Sequence, residues 1–179
     1  MATPAATTRA AFGQFPERCD KDPFAEWVDG EMAPVSRVRL QHQQVAGFLL
    51  EVIRLYVRTK GLGMVLHDPF QVRLPRSDRA RDVLFVSNEN LSRPTEHYLE
   101  GAADLVVEVI SPKAVCAIAM RSFLSVRVGG GQEYWLVDSQ RHQVEFYQLV
   151  EHRVYCSVLP DTERVYQSRF IEGFYLLVE

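Results

Sequence analysis

The spacing of apolar residues switches along the chain between a repeat of about 3.6 and a repeat of two, and each switch marks an expected element. FAEWVDGEMAPV alternates around Asp29-Gly30, a two-residue turn signal, and predicts a hairpin. From Leu40 to about Arg58, Val45, Phe48, Leu49, Val52 and Tyr56 recur at helical spacing, and Gly61 supplies a stop. The strand-like runs GMVLHDPFQVRLP and RDVLFVS follow, joined by the polar link RSDRA. Asn88 to Gly101 reads as a loop with one helical turn. DLVVEVIS is the most apolar strand and the expected centre of the sheet. Lys113 to Val128 has the length of a helix and ends at Gly129-Gly130-Gly131. EYWLVD, HQVEFYQLV and RVYCSVL then alternate as strands, and EGFYLLVE predicts a last one. Strands before and after a helix, with hairpins at both ends, predict one α/β domain over residues 23–179, a central mixed sheet flanked by helices. Residues 1–22 read as a disordered lead-in.

One strand carries polar residues where its pattern calls for apolar ones. In DLVVEVISP, Asp104, Val106, Glu108 and Ile110 share a face, so Glu108 sits between two apolar neighbours. A buried, unpaired carboxylate costs several kcal/mol or takes up a proton, so Glu108 requires a hydrogen-bond network, a cation or a metal. Asp82 opens RDVLFVS, and if the two strands are neighbours the carboxylates converge. Oxygen donors of this kind suit a hard divalent ion such as Mg²⁺. The plainer alternative is that Asp82 caps a strand and Glu108 pairs with an arginine of a helix.

Other residues admit two readings each. His42, three before Val45, lies on the inner face of the helix, either near that site or as a hydrogen-bonded interfacial histidine. Glu31 is a third carboxylate or a surface residue of the hairpin. Asp104 lies roughly 13 Å from Glu108 by strand rise, where the strand begins. Tyr134 and Trp135 read as core and edge packing. Arg73, Arg76, Arg79 and Arg81 would meet a nucleic-acid backbone or form a solvated loop with Asp78.

Charge and cysteines narrow the class. Twenty basic against 23 acidic residues leave a net charge of −3, which argues against a uniformly basic nucleic-acid surface but permits a local basic groove. Cys19, Cys116 and Cys156 have no metal-ligand spacing and read as free thiols of a reducing compartment. No apolar run approaches the roughly 18 residues that span a bilayer, and the first residues lack the apolar core of a secretory signal. A cytoplasmic protein without a membrane partner is expected.

VDGEM, His42 opening the long helix, then RDVLFVS, GAADLVVEVISP and EYWLVD in that order resemble the Uma-type family, also known as domain of unknown function 820. These are restriction-endonuclease-like proteins of the PD-(D/E)XK nuclease superfamily, and the likeness runs from about Asp29 onwards. It implies a restriction-endonuclease-like fold and Mg²⁺- or Mn²⁺-dependent hydrolysis of DNA, with a homodimer as one way to cut two strands. By position, Asp82 and Glu108 would be catalytic and, with the backbone carbonyl of Val109, would hold the metal. His42, Glu31, Lys113 and Arg121 would be accessory. The proline usual before the aspartate is Arg81 here.

The following helix departs from the family's pattern. There the family reads Ser-Pro, an Asp, Glu-Lys, and a Tyr before Gly and EYW. An ungapped count places Ile118, Ser122 and Val126 at the Asp, Lys and Tyr positions. The lysine would orient or help deprotonate the attacking water and offset phosphate charge, which Ser122 cannot do comparably. Arg121 lies about 100° around the helix and, always protonated, could supply charge but not a base. Compensating frameshifts would explain kept spacing with lost chemistry. Permitted codons for Cys116 to Gly130, read from the last base of the first, encode an Asp and a Glu-Lys pair at about the right places. The implied outcome is an endonuclease of degraded activity, or a nuclease-fold binding protein without catalysis.

Overall fold

The computed structural model of the chain describes residues 8–9, 25–28, 31–34, 39–75, 77–110, 131–150 and 154–178. In chain order the elements are β1 (Thr8–Arg9), β2 (Ala25–Val28), β3 (Glu31–Pro34), α1 (Leu40–Lys60), β4 (Gly63–His67), β5 (Gln71–Leu74), β6 (Ser77–Ala80) and β7 (Val83–Ser87). They continue as β8 (Tyr98–Glu100), β9 (Leu105–Ile110), β10 (Glu133–Asp138), β11 (Gln143–Val150), β12 (Val154–Val158), β13 (Val165–Gln167) and β14 (Tyr175–Leu177).

The main sheet runs β12-β11-β10-β9-β7-β4 and a second sheet runs β1-β3-β2-β6-β5-β8. β9 and β10 are parallel, whereas β4, β7 and β9 alternate in direction, so the main sheet is mixed. A parallel pair needs a long crossover, and the residues that supply it, 111–130, are outside those described.

Both faces of the main sheet are covered. On one, Leu49, Ile53 and Val57 of α1 pack on Val83, Phe85, Leu105, Val107 and Trp135. On the other, Leu84, Val86, Val106 and Tyr134 pack on Val72, Leu74 and Leu99 of the second sheet. This explains why β7 reads as an apolar run and β9 as one interrupted only at Glu108: a strand covered on both faces has no side to leave polar. Glu108 is the partly exposed break in the otherwise buried β9.

α1 spans the expected region and ends at Gly61, whose φ of 64° lets its N–H turn back to the carbonyls of Val57 and Arg58. Its buried stripe is rotated from the expected one. Leu49, Ile53 and Val57 form the contact, Val45, Val52 and Tyr56 flank it, and Phe48 is 61% exposed. The hairpin stands as expected, with Val28 opposite Glu31.

Two loops of the sequence reading are strands instead. Most of RSDRA is β6, paired with β5 and β2. The stretch from Asn88 to Gly101 holds a 3₁₀ turn at Asn88–Asn90 and β8, parallel to β5. Both strands are too short, and β6 too polar, to show an alternation.

Candidate active site

The register of the sheet creates the site. Val83 lies opposite Val107 and Leu84 opposite Val106, so continuing by one residue sets Asp82 opposite Glu108 at the end of β7. Asp82 turns towards α1 and stitches the strands together: its Oδ2 accepts a hydrogen bond from the backbone N–H of Val109 at 2.7 Å. His42, in the first turn of α1, brings Nε2 to 3.4 Å from the same oxygen. That hydrogen bond raises the His42 pKa above its ordinary value, outweighing burial, and the charge of Asp82, the Val109 backbone and the charge of Glu108 act in the same sense. Asp68, in the turn after β4, belongs to the same electrostatic neighbourhood. Burial and then the charge of Asp82 push its carboxyl pKa up, against His67 and His42.

Glu108 points the other way, towards the second sheet. Its Oε2 accepts from Arg81 Nη1 at 2.7 Å and from the Tyr134 hydroxyl at 2.8 Å. The pair is nearly dry, with 3% of the Arg81 side chain and 13% of the Glu108 side chain exposed. Burial works against the charge on Glu108, but the fields of Arg81 and Arg79 and the Tyr134 hydrogen bond prevail and hold its pKa below the ordinary value. The same burial, and the charge of Glu108, push the Tyr134 hydroxyl far above its usual range, so it stays a donor.

Asp82 therefore caps the end of a strand and Glu108 pairs with an arginine, but that arginine is the neighbour of Asp82 in the chain and not part of a helix. Glu31 lies in β3, and its side chain is outside the described residues, as are Lys113, Arg121 and Ser122. Among the described residues no group of three His, Cys, Asp or Glu side chains is close enough to hold a metal ion. The described arginines, Arg73, Arg79 and Arg81, do not form a solvated loop. Arg79 and Arg81 are 6% and 4% exposed, and Arg73 binds the fully buried Asp78 at 2.9 Å and stacks 3.7 Å over Tyr98. Arg76 is outside the described residues.

Arg81, Tyr134 and Asp68 were missed as members of the site. Period two in β10 places Tyr134 and Leu136 on one face, and Leu136 lies opposite Glu108 in the parallel register. Only the pairing of β10 with β9 reveals that contact, and no local pattern carries it.

Asp104 is a structural carboxylate. It accepts from the Ser87 N–H at 2.7 Å and from Asn90 Nδ2 at 2.7 Å, fixing the turn after β7.

A family model named Uma2, described as "Putative restriction endonuclease", matches residues 12–179. The chain belongs to the Uma2 family. Among solved structures, a "putative nuclease belonging to DUF820" from Anabaena variabilis is similar to this Uma2 chain with a TM-score of 0.71. The two share 15% identity, and the match covers 88% of each chain, so the restriction-endonuclease-like fold is common to both. No curated protein matches. No described helix is long and apolar enough to cross a membrane.

Proposed function

We propose that this Uma2 chain hydrolyses phosphodiester bonds in DNA, in the cytoplasm, using Mg²⁺ or Mn²⁺ held by Asp82, Glu108 and the carbonyl of Val109. The observation that carries this is the register that sets Asp82 opposite Glu108 at one end of the β7–β9 pair, with Asp82 fastened to the backbone N–H of Val109 at 2.7 Å. The two side chains turn to opposite faces of the sheet, so binding one ion would need Glu108 to leave Arg81. Two carboxylates and a carbonyl are hard oxygen donors and fit such an ion in kind. The ion would lower the pKa of a bound water and stabilise charge developing on a phosphate. His42 would hold Asp82 in place, and Tyr134 would fix the rotamer of Glu108. The activity is expected to be low, because Ser122 stands where the family pattern has its lysine. A homodimer would give two cuts.

A second reading, a nuclease-fold DNA-binding protein without catalysis, is favoured by the Arg81–Glu108 pair, since a carboxylate already neutralised by a guanidinium attracts a metal less. Nicking of supercoiled plasmid with Mg²⁺ or Mn²⁺ separates the two. Slow nicking that disappears in Glu108→Ala and rises in Ser122→Lys is the expected result. No nicking by either the natural chain or Ser122→Lys, with retained DNA binding, selects the second reading. Codons at Arg121 and Ser122 that cannot spell AAG across their boundary would end the frameshift account.

A further inference from the structure

We infer that Arg81 is a built-in counterion that competes with a divalent cation for Glu108, so that it, and not the carboxylates alone, sets how tightly this site binds metal. The inference rests on the proposed metal reading of Asp82 and Glu108 and adds a residue to it.

Two carboxylates need compensation in this fold, and they receive it on separate sides. Asp82 is held by a histidine and a backbone N–H. Glu108 is held by Arg81 at 2.7 Å, with Arg79 adding its field. A guanidinium is permanently charged and presents donors in a rigid fork, so its claim on a carboxylate does not relax with pH as that of a histidine does. With both side chains largely out of water, the attraction is poorly screened, and a divalent ion reaching Oε2 has to displace Arg81 or sit beside a buried positive charge. Tyr134 strengthens the hold, because its hydroxyl donates to the same oxygen and keeps the carboxylate turned towards Arg81.

Removing the arginine's charge leaves Glu108 largely buried with only the Tyr134 hydroxyl and the field of Arg79 to compensate it, and a group so weakly compensated becomes a demand for another cation. Arg81→Gln keeps much of the length and hydrogen-bonding capacity of the side chain without its charge. The whole chain and this variant are titrated with Mn²⁺ by electron paramagnetic resonance, and their melting temperatures are recorded with and without Mn²⁺. The variant is expected to melt lower than the natural chain without the ion, to regain that loss with it, and to bind Mn²⁺ at least about tenfold more tightly. Adding Glu108→Gln to Arg81→Gln is expected to remove both the gain and the rescue. Tyr134→Phe offers a milder version, with a smaller gain in affinity.

Equal Mn²⁺ affinity in the natural chain and Arg81→Gln, abolished in both by Glu108→Gln, overturns the role of Arg81 while the metal reading stands. Absence of binding to all variants at millimolar Mn²⁺ overturns both. Tighter binding that survives Glu108→Gln also overturns the inference, since it places the ion elsewhere.

Discussion

Glu108 and Glu133 are carboxylates on adjacent parallel strands, and their partners separate a candidate site from a structural joint. Glu133 is fully buried and accepts from Trp135 Nε1 and Tyr166 Oη at 2.7 Å, from Ser168 Oγ and Arg169 N–H at 3.0 Å, and from Phe170 N–H at 3.2 Å. No arginine is needed, because five donors spread its charge over both oxygens. Glu133→Gln replaces acceptor oxygen by a donor NH₂ facing donors, so we expect a loss of about 3 kcal/mol in urea unfolding; a loss under about 1 kcal/mol would show that the network repacks. Asp82 and His42 give a pH signature instead. The folded pKa of His42 lies above its unfolded value of 6.5, so protonation stabilises the fold fully below 6.5 and this contribution is lost as pH rises through the raised value. The natural chain should therefore lose melting temperature over that interval, and Asp82→Asn should flatten the profile. An unchanged slope in Asp82→Asn would place the titrating group elsewhere.

At the scale of elements, α1 shows what periodicity can and cannot fix. Apolar residues lie on more than one side of this helix, and Phe48 and Ile53 are equally good hydrophobic positions by sequence. Only the sheet beneath decides which faces inwards. Ile53, 0% exposed, packs on the sheet, and Ile53→Ala should cost about 2–5 kcal/mol. Phe48→Ser should change stability by no more than about 0.5 kcal/mol in the same chemical denaturation. A reversal of these two would mean that the helix is rotated. The long, strongly patterned elements, α1, β9, β10 and β11, were legible because their patterns repeat over several residues. β6 and β8 were not, because strands this short earn their hydrogen bonds from neighbours distant in sequence. That Glu108 needs a polar partner was legible because an isolated carboxylate in an apolar strand is a physical anomaly. Its true partners, Arg81 and Tyr134, were not, since one was expected from a helix and the other appears only through strand pairing.

At the scale of the whole molecule, the main sheet lies between α1 with the C-terminal hairpin on one side and the second sheet on the other. The candidate site draws its residues from both sides of this sandwich, His42 from α1 and Arg81 from the strand junction below. Trp135 is the hub of the α1 side, with Phe146, Tyr166 and Phe174 around it at 5.6, 5.8 and 6.0 Å between ring centres. Hydrogen exchange should therefore find β9, β10 and the segment from Tyr166 to Phe174 opening together. Independent exchange of that segment at a much faster rate would show it to be an appendage.

The joint at Glu133 also predicts an order of events during synthesis. Tyr166 leaves the ribosome 33 residues after Glu133, and the Phe170 N–H 37 residues after it. Until then β10 carries an anion with no partner for most of its lone pairs, and closing the sheet over it would strand that charge in an apolar interior. The expected consequence is that the nascent chain does not complete its core until the last strands arrive. Ribosome-stalled chains whose exposed portion ends before Ser168 should remain open to protease, whereas chains extended beyond Phe174 should resist it.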